Sequence, residues 1–275
     1  MASLVGSRVE RKEDKKLLTG RGKYTADVNF VNQTFAYFVR SPHARAQIKK
    51  VDTSKAMKAP GVVAVLTGAD IANDKIGGLI AGWRIKSEDG SDMKVPAHPP
   101  LANDTVNYVG DHVAVVIAES LDEARNAADL VKVDYKILKA VVDTKNAMNS
   151  DQIYKDIPKN LCFDWLLGDR AKVKEAFENA DKIIKIDLIN NRLVPNAMEP
   201  RAANAEYNPS TEEITLYTTS QNPHLARIII SAFNGVAPEN KLRVIAPDVG
   251  GGFGSKIYPY AEEVVCSWAA KKIER

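Results

Sequence analysis

The stretch 242–256, Leu-Arg-Val-Ile-Ala-Pro-Asp-Val-Gly-Gly-Gly-Phe-Gly-Ser-Lys, constrains this chain more than any other. An apolar, β-rich run enters glycines set around one phenylalanine, and an apolar helical pattern follows over 262–272. Glycine has no Cβ, so backbone N–H groups in such a loop can approach a bulky polar ligand closely. A strand–loop–helix setting also aims the first N–H groups of the helix at negative charge. The pattern points to an anion or a dinucleotide-like cofactor. A structural turn is the alternative reading of the same glycines.

The familiar nucleotide loops do not fit. The dinucleotide fingerprint G-x-G-x-x-G/A, started at Gly250, would close on Ser255. The P-loop needs Gly-Lys-Ser/Thr, whereas Gly254 is followed by Ser255 before Lys256. The loop is a glycine cradle of another kind.

Composition narrows the class. The chain has 275 residues, enough for one large or two ordinary domains, and its 45% apolar and 27% charged residues are those of a globular protein. Lys+Arg 38 against Asp+Glu 35 gives +3, and the charges are interspersed, so nothing supports nucleic-acid binding. No apolar run reaches the roughly 18 residues of a membrane span. The N-terminal segment lacks the apolar core of a secretory signal, so a cytoplasmic location is expected. Cys162 and Cys266 stand alone and far apart, which rules out an iron–sulphur cluster or a zinc site built from clustered ligands. Each reads as a small apolar side chain.

Periodicity places strands over 35–39, 46–51, 62–67, 113–118 and 131–135. Short helices are expected over 54–57 and 68–73, and a long irregular loop over 77–100. A helix over 121–130 makes 113–135 a strand–helix–strand unit in a mixed sheet. A polar linker is expected near 143–159. Beyond it come an amphipathic helix over 169–180 with Val173, Ala176 and Phe177 on one face, strands over 182–190, 201–207 and 214–218, and a helix over 223–233.

Several segments in order resemble one family. They are 11–14, Arg-Lys-Glu-Asp, with 17–24, Leu-Leu-Thr-Gly-Arg-Gly-Lys-Tyr; 39–44, Val-Arg-Ser-Pro-His-Ala; 60–68, Pro-Gly-Val-Val-Ala-Val-Leu-Thr-Gly; and 108–111, Tyr-Val-Gly-Asp. In the second half they are 198–201, Met-Glu-Pro-Arg; 219–224, Thr-Ser-Gln-Asn-Pro-His; and the glycine loop. Over nearly its whole length the chain resembles the molybdopterin-binding large subunit of the xanthine dehydrogenase and aerobic carbon monoxide dehydrogenase family.

The resemblance implies an α+β fold: an N-terminal extension (1–17), an α/β-hammerhead domain (18–136), a linker (137–160), and the first, incomplete portion of a mixed α/β molybdenum-cofactor-binding domain (161–275). It implies a molybdenum–molybdopterin cofactor, in the cytosine dinucleotide form, with no side-chain ligand to the metal. It implies cofactor contacts from Gln221, Gly251, Gly252, Phe253 and Gly254. Gln221 would present a neutral amide donor to an oxygen on the metal, with a plain helix cap before Pro223 as the alternative. Phe253 and Ile257 would line the substrate pocket, with a core role for Phe253 as its alternative. Purine-oxidising relatives carry a glutamate where this chain has Ile257, so aldehydes, small aromatic heterocycles or carbon monoxide fit better.

The activity implied is oxidation of a small substrate with water as oxygen source. Electrons would pass to a 2Fe-2S small subunit and a FAD-binding medium subunit in a dimer of heterotrimers. The family's catalytic base is expected beyond Arg275, so no catalytic residue is expected here, and the segment alone is expected to be inactive. His43 and His224 are expected to be structural, Glu199 and Arg201 to make a polar contact within the fold, and Trp83 and Trp165 to lie at subunit contacts. Rival readings are a truncated, non-catalytic chain that binds pterin or partner subunits, and a nucleotide-dependent dehydrogenase, which the Ser255 spacing disfavours.

Overall fold

The structure is a computed structural model that describes residues 4–275. Residues 1–3, the start of the expected N-terminal extension, lie outside the described residues. In chain order the elements are α1 (Asp14–Leu18), β1 (Phe35–Arg40), β2 (Ala46–Asp52), β3 (Val62–Thr67), α2 (Gly68–Asn73), β4 (Thr105–Val106), β5 (His112–Ala118), α3 (Leu121–Ala128) and β6 (Lys132–Ile137). Then follow α4 (Arg170–Glu178), β7 (Ala203–Asn208), β8 (Glu213–Thr218), α5 (Pro223–Ile228), β9 (Leu242–Ile245) and α6 (Ala261–Ile273).

The first sheet has the order β1-β5-β3, antiparallel throughout. Its central strand, His-Val-Ala-Val-Val-Ile-Ala, is buried at every position. A strand covered on both faces must be apolar at both parities, which is why this run shows no alternation. Next, α3 starts where Ser120 Oγ accepts a hydrogen bond from Glu123 N, and it buries Ala124, Ala127 and Ala128. Of these, Ala127 and Ala128 pack with Val65, Ala114 and Val116.

The second sheet has the order β4-β2-β6. The expected strand–helix–strand unit is therefore not a unit of one mixed sheet. Both edges of β5 are taken by β1 and β3, so β6 pairs antiparallel with β2 instead.

The third sheet has the order β7-β8-β9, with β7-β8 antiparallel and β8-β9 parallel. One apolar core joins it to the first sheet: Leu66, Val115 and Ile117 pack in a cluster with Ile214, Leu216, Val264, Val265 and Trp268. The indole N–H of Trp268 donates to Asp74 Oδ2 at 2.8 Å, and Lys272 pairs with the same oxygen at 2.7 Å, which ties α6 to the end of α2.

Two expected helices form in altered shape, and one expected strand does not form. The helix at 54–57 is a single 3-10 turn at Ala56–Lys58. The amphipathic helix forms as α4, capped by Asp169, but buries no residue, and its Val173 and Phe177 are more than half exposed. Residues 182–190 form no strand, and Ile184, Ile186, Leu188 and Ile189 are exposed. Their apolar character suits a strand, but no strand among the described residues lies beside them, and a ladder needs a partner.

Burial separates two isoleucines that look alike in sequence. Ile214→Ala removes a fully buried side chain and is expected to cost about 3 kcal/mol in urea denaturation. Ile186→Ala, at 71% exposure, is expected to shift stability by less than about 0.5 kcal/mol. Equal losses would show that 182–190 is packed in the folded chain.

Candidate functional site

The glycine loop lies between β9 and α6, and side chains from elsewhere hold it. At its entry, Asp248 Oδ2 accepts from Lys23 N at 2.8 Å, Asp248 N donates to Lys23 O at 2.9 Å, and Lys16 pairs with the carboxylate at 2.6 Å. The turn motif at 17–24 is thereby the support on which the loop starts. Lys16 and the Lys23 N–H hold the Asp248 carboxyl below its usual range.

Gly250 N donates to Glu199 Oε2 at 2.7 Å. A Cβ on Gly250 would sit 2.5 Å from Glu199 Cβ, so only glycine fits there. Gln221 Oε1 accepts from Gly254 N at 2.9 Å and from Lys256 N at 3.3 Å, while Gln221 N donates to Lys256 O at 2.8 Å. With the carbonyl end occupied, the carboxamide NH2 is the free end, and it makes no hydrogen bond among the described residues. Asn222, not Gln221, caps α5, through Oδ1 to Leu225 N, with Pro223 in the first turn. The cap alternative for Gln221 falls. Beyond Ile228, α5 continues as a π-helical turn over Ile229–Phe233.

Gly251, Gly252 and Phe253 carry three successive N–H groups without a hydrogen-bond partner among the described residues. Phe253 has φ +50°, a left-handed conformation that costs a residue other than glycine roughly 1–3 kcal/mol. Its ring is 75% exposed, so the core-aromatic alternative also falls. Ile257 lies half-buried just past the loop.

Arg201 braces the far end. Its guanidinium donates to Ser255 O at 2.8 Å and, through Nη2, to both oxygens of Glu263 at 2.7 and 2.6 Å. It also stacks 3.6 Å from the centroid of Tyr260. Glu263 is 3% exposed, accepts from Thr218 Oγ1 at 2.7 Å, and accepts the Tyr260 N–H at the start of α6. The expected Glu199–Arg201 contact therefore resolves into two separate pairings, since Glu199 meets Lys256 at 3.2 Å.

Chain reading alone missed a second cluster at the start of α6. Glu262 Oε1 meets His112 Nε2 at 3.1 Å and Arg40 Nη2 at 2.8 Å. Burial pushes the Glu262 carboxyl up, but His112 and Arg40 outweigh it and bring it from 4.5 down to about 2. Nearby, burial raises the Cys266 thiol to about 12, helped by Glu262 and Glu263. His43 packs edge-on against Tyr135, while His224 is exposed beside Arg227 and Glu239. Trp83 and Trp165 are exposed at 79% and 55%.

An open cavity of about 840 Å³ lies between residues 25–40, β7 and α6. Arg201 and Glu263 line it, but no residue of 250–257 does, so it opens on the other side of the brace. No helix among the described residues is long and apolar enough to cross a membrane.

The donor set fits a large, oxygen-rich group held by backbone: three free N–H groups, a carboxamide NH2 at their side, and glycines where a Cβ would collide. On Gly252 that Cβ would lie 2.5 Å from Gln221 Cδ.

The chain is similar to proteins of one family. Residues 19–139 match "Aldehyde oxidase and xanthine dehydrogenase, a/b hammerhead domain", and residues 153–275 match "Molybdopterin cofactor-binding domain". The nicotine 6-hydroxylase large subunit of Paenarthrobacter nicotinovorans is 36% identical, over 99% of this chain and 32% of its own length. The carbon monoxide dehydrogenase large chain of Afipia carboxidovorans is 35% identical, over 94% and 32%. Quinoline 2-oxidoreductase from Pseudomonas putida 86 superposes with a TM-score of 0.86 at 31% identity, over 98% of this chain and 34% of that one. The chain belongs to the xanthine dehydrogenase and carbon monoxide dehydrogenase family of molybdenum hydroxylases and corresponds to the N-terminal part of the molybdopterin-binding subunit. It spans about a third of the length of the relatives it matches.

Two outcomes test the site. In Gly252→Ala the new methyl displaces the Gln221 carboxamide, and two hydrogen bonds at roughly 1 kcal/mol each are lost. Crystallography should find the carboxamide swung away; an undisturbed Gln221 refutes the close packing. Glu262 contributes stability that is complete above its ordinary 4.5 and lost as pH falls toward about 2. Between pH 5 and 2.5 the parent protein should lose roughly 2 kcal/mol more than Glu262→Gln, discounted for partial exposure. Parallel denaturation curves for the two would exclude the ion pair.

Proposed function

We propose that this chain is the N-terminal part of a catalytic large subunit that holds a molybdenum–molybdopterin cofactor, in its cytosine dinucleotide form, against the glycine loop. In this reading residues 18–136 are the hammerhead unit and 161–275 open the cofactor unit. The observation that carries it is Gln221: its carbonyl oxygen is held by Gly254 and Lys256 N–H, which turns its NH2 group to the open side of the loop.

When bound, the cofactor supplies the redox chemistry that oxidises a small substrate with an oxygen taken from water. The chain's own part is binding and orientation. The N–H groups of Gly251, Gly252 and Phe253 would hold oxygens of the group, and the Gln221 NH2 group would donate to it without adding charge. Phe253, already presented outward, shields the site from water once a substrate is present. Ile257 places an apolar surface next to it, which suits an uncharged aromatic heterocycle, an aldehyde or carbon monoxide. Relatives named for nicotine, quinoline and carbon monoxide act in that range. The catalytic base and the rest of the pocket belong to the part of the subunit that this chain does not span. Electrons leave to a 2Fe-2S small subunit and a FAD-binding medium subunit, in a cytoplasmic dimer of heterotrimers.

Metal and pterin analysis of the purified complete subunit tests this first. About one molybdenum and one pterin per subunit are expected, with cytidine monophosphate released on acid hydrolysis. A subunit without either would end the proposal. Gln221→Ala is expected to lower kcat roughly 100-fold with molybdenum content maintained. Unchanged kcat would remove Gln221 from the site.

A further inference from the structure

Lys256 is the largest fully buried side chain among the described residues, at 2% exposure, and it closes the glycine loop. Its ammonium donates to Glu199 O at 2.8 Å and to Glu199 Oε2 at 3.2 Å. The same Oε2 accepts Gly250 N, so one carboxylate oxygen joins the buried lysine to the first glycine of the loop. The other oxygen, Oε1, is buried with no hydrogen-bond partner among the described residues. A buried cation and a half-satisfied buried carboxylate are each costly alone and depend on each other.

The backbone of Lys256 works in the opposite direction. Its N–H donates to Gln221 Oε1, and its C=O accepts Gln221 N. Anchoring the side chain below therefore sets where the Lys256 N–H points, and that N–H with the one from Gly254 selects which end of the Gln221 carboxamide faces out. A carboxamide flipped by 180° would set its NH2 against two N–H donors, so the assignment holds only while both N–H groups stay in place. An apolar residue would fill the Lys256 site without desolvating a charge, so packing alone does not call for lysine.

We propose that Lys256 and Glu199 are a pair of positioning residues that hold the Gln221 carboxamide with its NH2 group toward the cofactor. This rests on the proposed function and deepens it. The two residues touch neither substrate nor cofactor; they act through Gly250, Gly254 and Gln221. The pair explains why the Met-Glu-Pro-Arg segment and the loop belong to one site although 57 residues separate Glu199 from Lys256.

The experiment uses the complete subunit in its native complex, as parent, Lys256→Met, Glu199→Gln and the double variant. Amide hydrogen exchange, melting midpoint, molybdenum content, and the Mo(V) electron paramagnetic resonance signal generated by dithionite are measured on each. In Lys256→Met, exchange of the hydrogen-bonded Gly250, Gly254 and residue-256 amides should rise at least tenfold while β5 and α6 stay protected. The Mo(V) signal should change its shape at unchanged molybdenum content. Glu199→Gln, which keeps the size of the side chain, should show the same two effects in weaker form. The double variant should recover the melting midpoint, because no lone charge remains buried, but not the parent signal.

If Lys256→Met fails to fold, Glu199→Gln carries the same readouts. Parent-like loop exchange and signal in a folded variant would overturn the proposal. So would a fall in melting midpoint with no change in loop exchange or signal, which is the mark of a plain structural pair. A parent subunit that lacks molybdenum sinks the proposed function instead. Loop exchange, which needs no metal, would then still decide whether the pair positions Gln221.

Discussion

A loop without helix or sheet pairing must have its backbone polar groups satisfied by side chains or left free for a ligand. Residues 250–256 obey that constraint through three separate clamps. Glu199 takes the N–H of Gly250, Gln221 takes those of Gly254 and Lys256, and Arg201 takes the carbonyl of Ser255. The clamps meet below the loop in buried charge: Lys256 with Glu199, and Arg201 with Glu263. Within the loop, only the N–H groups of Gly251, Gly252 and Phe253 find no partner among the described residues, and they are consecutive.

The fold exists around those clamps in a definite way. Glu263 is on the first turn of α6, and the apolar side of the same helix, Val264, Val265 and Trp268, closes the core shared by the first and third sheets. The helix that completes the packing is thus also the helix that holds the brace for the loop. Glu262, next to it, ties the helix start to Arg40 and His112 in the first sheet. Burial and site geometry are coupled through one turn of helix.

Most elements could be read from the chain because their cause is local. The continuous apolar run of β5, the alanine-faced α3 with its Ser120 cap, the alternation in β8 and the apolar α6 each carry their own period. Sheet membership could not be read that way. Whether β6 joins β5 or β2 depends on which edges are already filled, and 182–190 has the composition of a strand but no pairing neighbour among the described residues. The loop and Gln221 could be named through their resemblance to a family, yet the direction of the carboxamide could not, because the two N–H groups that set it lie 33 and 35 residues away. The Glu262 cluster left no local trace, with partners 222 and 150 residues distant.

By itself the sequence determined the family, the presence of a glycine cradle between a strand and a helix, and the exclusion of the familiar nucleotide loops by the placing of Ser255. Tertiary structure alone decided that Arg201 belongs to Glu263 and Glu199 to Lys256, that Asn222 rather than Gln221 caps α5, and that Phe253 stands outside the core. The reason is physical. Local periodicity reports which face of an element seeks burial, whereas the pairing of buried charges is settled only when elements far apart in the chain compete for the same partners in space.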